Sequence, residues 1–147
     1  MARPVPGLEP DEDLLATMTV TFRGSLAASW RGLGMASTRT RLKAFGAWST
    51  AARQATFPVG KPEMIIGATG RRLLVWRPSF FAGRPRELVG SVPFERLAEV
   101  TVYRQGFAVS LTLLFTDGQI VEVEAMRKRR MRKIADIVRG GIGRGAP

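Results

Sequence analysis

The chain has 147 residues, with 23 Lys and Arg against 12 Asp and Glu, no Cys and no His, for a formal net charge of +11. One domain of this length buries a core without disulfide or metal staples. The absent residue types exclude a disulfide framework, a Cys or His metal site, a Cys nucleophile and an imidazole base, so no metal or cofactor is expected.

Residues 1–13 form an N-terminal lead holding Arg3 against Glu9, Asp11, Glu12 and Asp13. Its opening Met1 to Gly7 lacks the apolar core of a signal peptide, and no later stretch approaches the roughly 18 apolar residues of a spanning helix. A cytoplasmic protein is the expectation. From Leu14 to Phe22 the chain alternates, with Leu14, Ala16, Met18, Val20 and Phe22 on one face and Thr17, Thr19 and Thr21 on the other, which predicts a half-buried strand. It opens a domain expected over 14–139.

An insert of about residues 25–57 follows. Leu26, Trp30 and Leu33 fall at i, i+4 and i+7, and Leu42, Phe45, Ser49 and Ala52 continue a similar pattern in an Ala-rich stretch. Gly32, Gly34 and Thr38 interrupt between them, so two helical pieces are predicted, ended by Pro58 and Gly60. Four more strands are predicted over 64–68, 72–77, 87–92 and 98–104, punctuated by Gly70, Pro78, Gly83, Pro85 and Pro93. The runs Val109 to Phe115 and Val121 to Ala125 flank Asp117-Gly118, a hairpin signal because Gly accepts positive φ. The period then changes: Met131, Ile134, Ala135 and Val138 mark one face of an amphipathic helix. Four glycines between 140 and 145 are expected to end it, leaving 140–147 as a disordered tail.

The chain therefore reads as mainly β (β+α). The acidic Glu9-x-Asp11-Glu12-Asp13 leads into the first strand, followed by Ala68-Thr69-Gly70-Arg71-Arg72-Leu73-Leu74-Val75-Trp76, by Val89-Gly90-Ser91-Val92-Pro93-Phe94-Glu95-Arg96-Leu97, and by Leu111 to Gly118. In this order the motifs resemble bacterial pleckstrin-homology-like domains, relatives of the GRAM domain, over about residues 9–22 and 62–139. The resemblance implies an antiparallel, partly open β-barrel, closed at one end by the C-terminal helix, and a binding module in place of an enzyme. The first connection departs from the family, because lipid-binding members cluster Lys and Arg on the first two strands and their short loop. Here that connection is the helical insert, so no phosphoinositide motif transfers.

Charge separates the candidate sites. Residues 14–60 hold Arg23, Arg31, Arg39, Arg41, Lys43 and Arg53 with no acid, and 61–126 are nearly neutral. Arg127, Lys128, Arg129, Arg130, Arg132 and Lys133 then form the densest positive run. Cations of one sign repel within a helix, so a partner that neutralises them is expected. In the insert, Arg31, Arg39, Arg41, Lys43 and Arg53 lie beside Trp30, Phe45 and Trp48, the composition of an interfacial helix whose aromatics dock and whose cations meet phosphates. The competing reading packs these aromatics onto the protein's own sheet and leaves the Arg residues solvated.

Glu95 with Glu99 and Glu122 with Glu124 are the carboxylate pairs an enzyme could use; the second pair is expected on an exposed polar strand face, and catalysis is not expected. The expectation is a non-catalytic module at an anionic surface, foremost the inner face of the cytoplasmic membrane. An acidic protein partner comes second. Non-specific nucleic-acid binding comes third, since Tyr103 and Phe107 are lone stacking candidates and the basic run lacks Asn or Gln.

Overall fold

The computed structural model of the chain describes residues 5–22, 35–78 and 85–145, with the side chains of all of these except 35–41, 105, 144 and 145. Seven strands form one antiparallel open sheet: β1 (Ala16–Phe22), β2 (Glu63–Ala68), β3 (Arg72–Pro78), β4 (Pro85–Pro93), β5 (Leu97–Gln105), β6 (Ala108–Phe115) and β7 (Ile120–Ala125). Helix α1 (Met35–Gln54) follows β1, and helix α2 (Lys128–Gly145) follows β7. The strand order is β4-β3-β2-β1-β7-β6-β5, so β4 and β5 are the two edges, linked by a 3-10 turn at Phe94–Arg96. Edge position is why β4 tolerates a proline at each end, because proline has no N–H to give to a ladder.

Alternation sends Met18, Val20, Met64, Ile66, Leu73, Val75, Val100, Leu111, Leu113, Val121 and Val123 inward, where Met131, Ile134, Ala135 and Val138 of α2 complete one core. The predicted helical face is thus the buried one, and all four of its residues are 0% exposed. Leu14, expected on the same face as Met18, instead joins Ile65, Leu74 and Trp76 on the outer side of the sheet. The pleat begins only at Ala16, so the alternation does not reach back to Leu14.

That outer cluster is roofed by the N-terminal segment. Val5 and Leu8 pack on it, Trp76 Nε1 donates to the Pro6 carbonyl at 2.7 Å, and Arg72 Nη2 donates to the Gly7 carbonyl at 2.7 Å. A side chain at Gly67 would strike both the Trp76 ring and Leu14, so the absence of a Cβ there is what allows the roof to close.

Two helix ends differ from the sequence expectation. Within the described residues α1 is continuous from Met35 and passes through Thr38; Gly32, Gly34 and the helical piece expected around Leu26 to Leu33 lie outside the described residues. The second difference is in α2, which runs to Gly145 through the glycines expected to form a disordered tail. Gly141 is buried against the Phe94 ring where no Cβ fits, and Ile142 packs on the core, so burial holds the glycine run helical against its poor propensity.

Candidate anionic-surface site

On α2 the burial of Met131, Ile134, Ala135 and Val138 dictates where the cations go. Arg127, Arg129, Arg130, Arg132 and Lys133 are exposed and Lys128 is half-buried. Among the described residues none of these six forms an ion pair; the only ion pair on α2 joins Arg139 to Asp136 at 3.2 Å. The first turn of α2 has no acidic residue, so these charges crowd the positive end of the helix dipole with no ion pair among the described residues to offset them. Arg139 also donates to the Val100 carbonyl of β5 at 3.0 Å. Lys128 and Arg132 precede it by eleven and seven residues, close to whole helical turns, and therefore share the flank of α2 that faces β5.

Strand register fixes what lies beside this helix start. Ala125, the last residue of β7, is opposite Val109, and Val109 is opposite Arg104 on β5. Just beyond, Gln105 pairs with Ala108, so β5 and β6 are joined by the two-residue turn Gly106-Phe107, with Gly106 at φ +63°. Arg104 is exposed and its Nε donates to the Gly106 carbonyl at 3.1 Å. Met126, directly after Ala125, is 65% exposed and Phe107 is 43% exposed. One end of the sheet thus brings Arg104, Phe107 and Met126 to the basic start of α2. Sequence reasoning singled out Phe107 only as a stacking candidate and missed Met126 and Arg104. The usable signal was an aromatic next to Gly106 between two alternating runs.

Phe45 and Trp48 of the insert face the chain's own sheet. Phe22 lies 5.3 Å from Phe45 and 6.1 Å from Trp48 between ring centroids, and Trp48 meets Phe57 edge-on at 6.2 Å. Among the described residues β1 and β7 pair at Thr21–Glu124 and Phe22–Val123, and next to this seam Trp48 Nε1 donates to the Glu122 carbonyl at 2.8 Å. Phe45 and Trp48 therefore hold α1 in place, while Trp30 and Arg31 lie outside the described residues. Lys43 and Arg53 are exposed; Arg39 and Arg41 stand on α1, their side chains outside the description. Phe45 meets Phe22, which pairs with Val123; Trp48 donates to Glu122; Ala51 and Ala52 line one cavity with Ile120 and Val121. This order makes α1 antiparallel to β7, so its N-terminal half, with Arg39, Arg41 and Lys43, extends toward the end of β7 from which α2 departs.

The other end of α1 is tightly closed. Thr56 adopts φ +59°, its N–H donates to the Arg53 carbonyl and the Phe57 N–H to the Ala52 carbonyl, a Schellman ending. Arg96 Nη2 donates to the Ala55 carbonyl at 2.9 Å while its guanidinium lies 5.4 Å from the Phe115 ring centroid, placing a cation at the negative helix end.

Away from the basic end, Glu12 is the hub of a buried ionic network. Its carboxylate accepts from Arg72 Nη2 at 2.7 Å, Arg72 Nε at 2.9 Å, Thr69 Oγ1 at 2.9 Å and Arg71 Nε at 3.3 Å. The bonds from Arg72 foremost, with those from the Glu9 N–H and Thr69, outweigh the opposing effect of burial and lower its pKa from 4.5 to about 2. Nor do Glu122 and Glu124 form the exposed polar face expected of them. Glu124 is 5% exposed, set between Thr21 and Ser110 across the sheet, and Glu122 accepts a hydrogen bond from the Tyr103 hydroxyl at 2.5 Å. Lateral neighbours bury Glu124, which alternation alone does not reveal.

A cavity of about 180 Å³ beside Trp48 is lined by Ala51, Ala52, Ile120, Val121 and Glu122. Among the described residues no acidic cluster is arranged to hold a metal ion, and no helix is long and apolar enough to cross a membrane. No known family model matches the chain, and no curated protein matches it either.

Proposed function

We propose that this chain is a pleckstrin-homology-like binding module, without catalytic chemistry of its own, that docks on an anionic membrane surface, the inner face of the cytoplasmic membrane. Three features support the family reading: the antiparallel seven-strand order, the C-terminal helix buried in the sheet's core, and the Thr69 and Arg72 motif residues joined to Glu12. The observation that carries the function is the six cations at the start of α2, which have no acidic partner among the described residues. A juxtamembrane cation contributes about 1 kcal/mol of attraction to an anionic leaflet, so several together suffice for reversible attachment.

Both the membrane reading and the acidic-protein reading could use the insert's aromatics as docking groups. Phe45 and Trp48 are engaged with Phe22 and Phe57, so neither partner is met through them, and the membrane reading rests on the cations of α2. Reversing Arg129, Arg132 and Lys133 to Glu leaves the core of α2 untouched. This triple variant is expected to bind anionic vesicles at least about 100-fold more weakly than the wild type, with unchanged circular dichroism. Undiminished binding by the variant would sink the proposal.

A further inference from the structure

We propose that the sheet end formed by the β5–β6 turn and the β7–α2 junction enters the lipid interface, Phe107 and Met126 reaching below the headgroups while Arg104, Lys128 and Arg132 meet the phosphates. This inference rests on the membrane reading above and adds to it which surface faces the bilayer and which apolar side chains penetrate.

Exposed apolar side chains need no explanation when scattered singly, as Leu15, Leu42 and Ile120 are. Phe107 and Met126 differ because the register brings them together. Met126 directly follows Ala125, the end of β7 and the residue opposite Val109, and Phe107 lies two residues before Val109 at the hairpin tip, so both stand at the same end of the sheet. The tip is firmly presented: Ala108 is buried, Gly106 takes the positive φ of a tight turn, and Arg104 ties back to its carbonyl. Cations flank the pair on β5 and on the adjoining side of α2; the exposed acids Glu95, Glu99 and Asp117 lie toward the opposite end of β5 and β6, and exposed Glu63, at the same end, stands two strands from β7 on β2. An apolar point ringed by cations complements the boundary between anionic headgroups and acyl chains. A polyphosphate in water would meet the same cations and leave Met126 in solvent.

The chain has no Cys, so one introduced thiol carries a single environment-sensitive fluorophore. The label is placed by Met126→Cys, by Phe107→Cys and, at the far hairpin, by Asp117→Cys. Vesicles of phosphatidylcholine and phosphatidylglycerol in equal parts should shift the emission at 126 and 107 to the blue and shield both from iodide, with 117 unchanged. Met126→Ser with Phe107→Ser should weaken vesicle binding about tenfold. Vesicle binding with 126 and 107 still open to iodide, or with 117 shielded equally, would overturn this inference and leave the electrostatic attachment standing. A chain that stays unbound with every vesicle overturns both.

Discussion

Glu12 ties the N-terminal segment to the sheet, and its chemistry makes that attachment sensitive to acid. Folding lowers its pKa from 4.5 to about 2, so its contribution to stability is fully present above about pH 4.5 and disappears as the pH falls toward 2. The contribution amounts to about 2 to 3 kcal/mol at neutral pH. Glu12→Gln should lose about that much in urea unfolding at pH 7, and little at pH 2. Thr56 offers the opposite sign, because a β-branched residue at φ +59° is strained where glycine is not. Thr56→Gly should raise stability by about 1 kcal/mol, read as a higher urea midpoint. These two residues differ in how far the sequence exposed them. An acidic cluster before β1 and an Arg pair at the start of β3 are both visible in it, but their meeting across about 60 residues requires β1, β2 and β3 already paired. Left-handed geometry at Thr56 has no sequence signal at all, since glycine is the usual residue there.

At the scale of elements, period and punctuation carried most of the information. Alternation located the strands to within a few residues, and the 3.6-residue period identified the face of α2 that completes the core. Where propensity and packing compete, packing won, as the end of α2 shows. Gly141→Ala would force a methyl against the Phe94 ring and should cost about 1 to 2 kcal/mol net of the better helix propensity. Gly143, with open space around it, should behave oppositely: Gly143→Ala is expected to stabilise by about 0.5 kcal/mol. Thermal unfolding of the two variants should therefore move in opposite directions, and a stabilised Gly141→Ala would contradict the packing of α2 on Phe94. Leu42 illustrates the reverse limit. It belongs to the helical pattern of the insert yet is 59% exposed, whereas Phe45 and Trp48 of the same helix meet Phe22.

Across the whole molecule the question is how two basic segments, far apart in sequence, are arranged on a nearly neutral β-core. Partition of charge along the chain was readable directly; their spatial relation was not, because it depends on α1 running antiparallel to β7 and on α2 starting where β7 ends. With the N-terminal half of α1 and the start of α2 directed to one end, the charge of Lys43 and of residues 127–133 gathers there, while Arg53 stands at the other end of α1. Hairpin pairing adds Phe107 and Met126 to that same end, a juxtaposition set by register and legible only once the strands are aligned. The most direct test of membrane attachment is co-sedimentation of the wild-type chain with neutral and anionic vesicles as salt is raised. Recovery with anionic vesicles should be high at low salt and fall steeply as screening shortens the electrostatic range to a few ångström, with little recovery on phosphatidylcholine alone. Equal, salt-insensitive recovery on both vesicles, or none on either, would contradict the account.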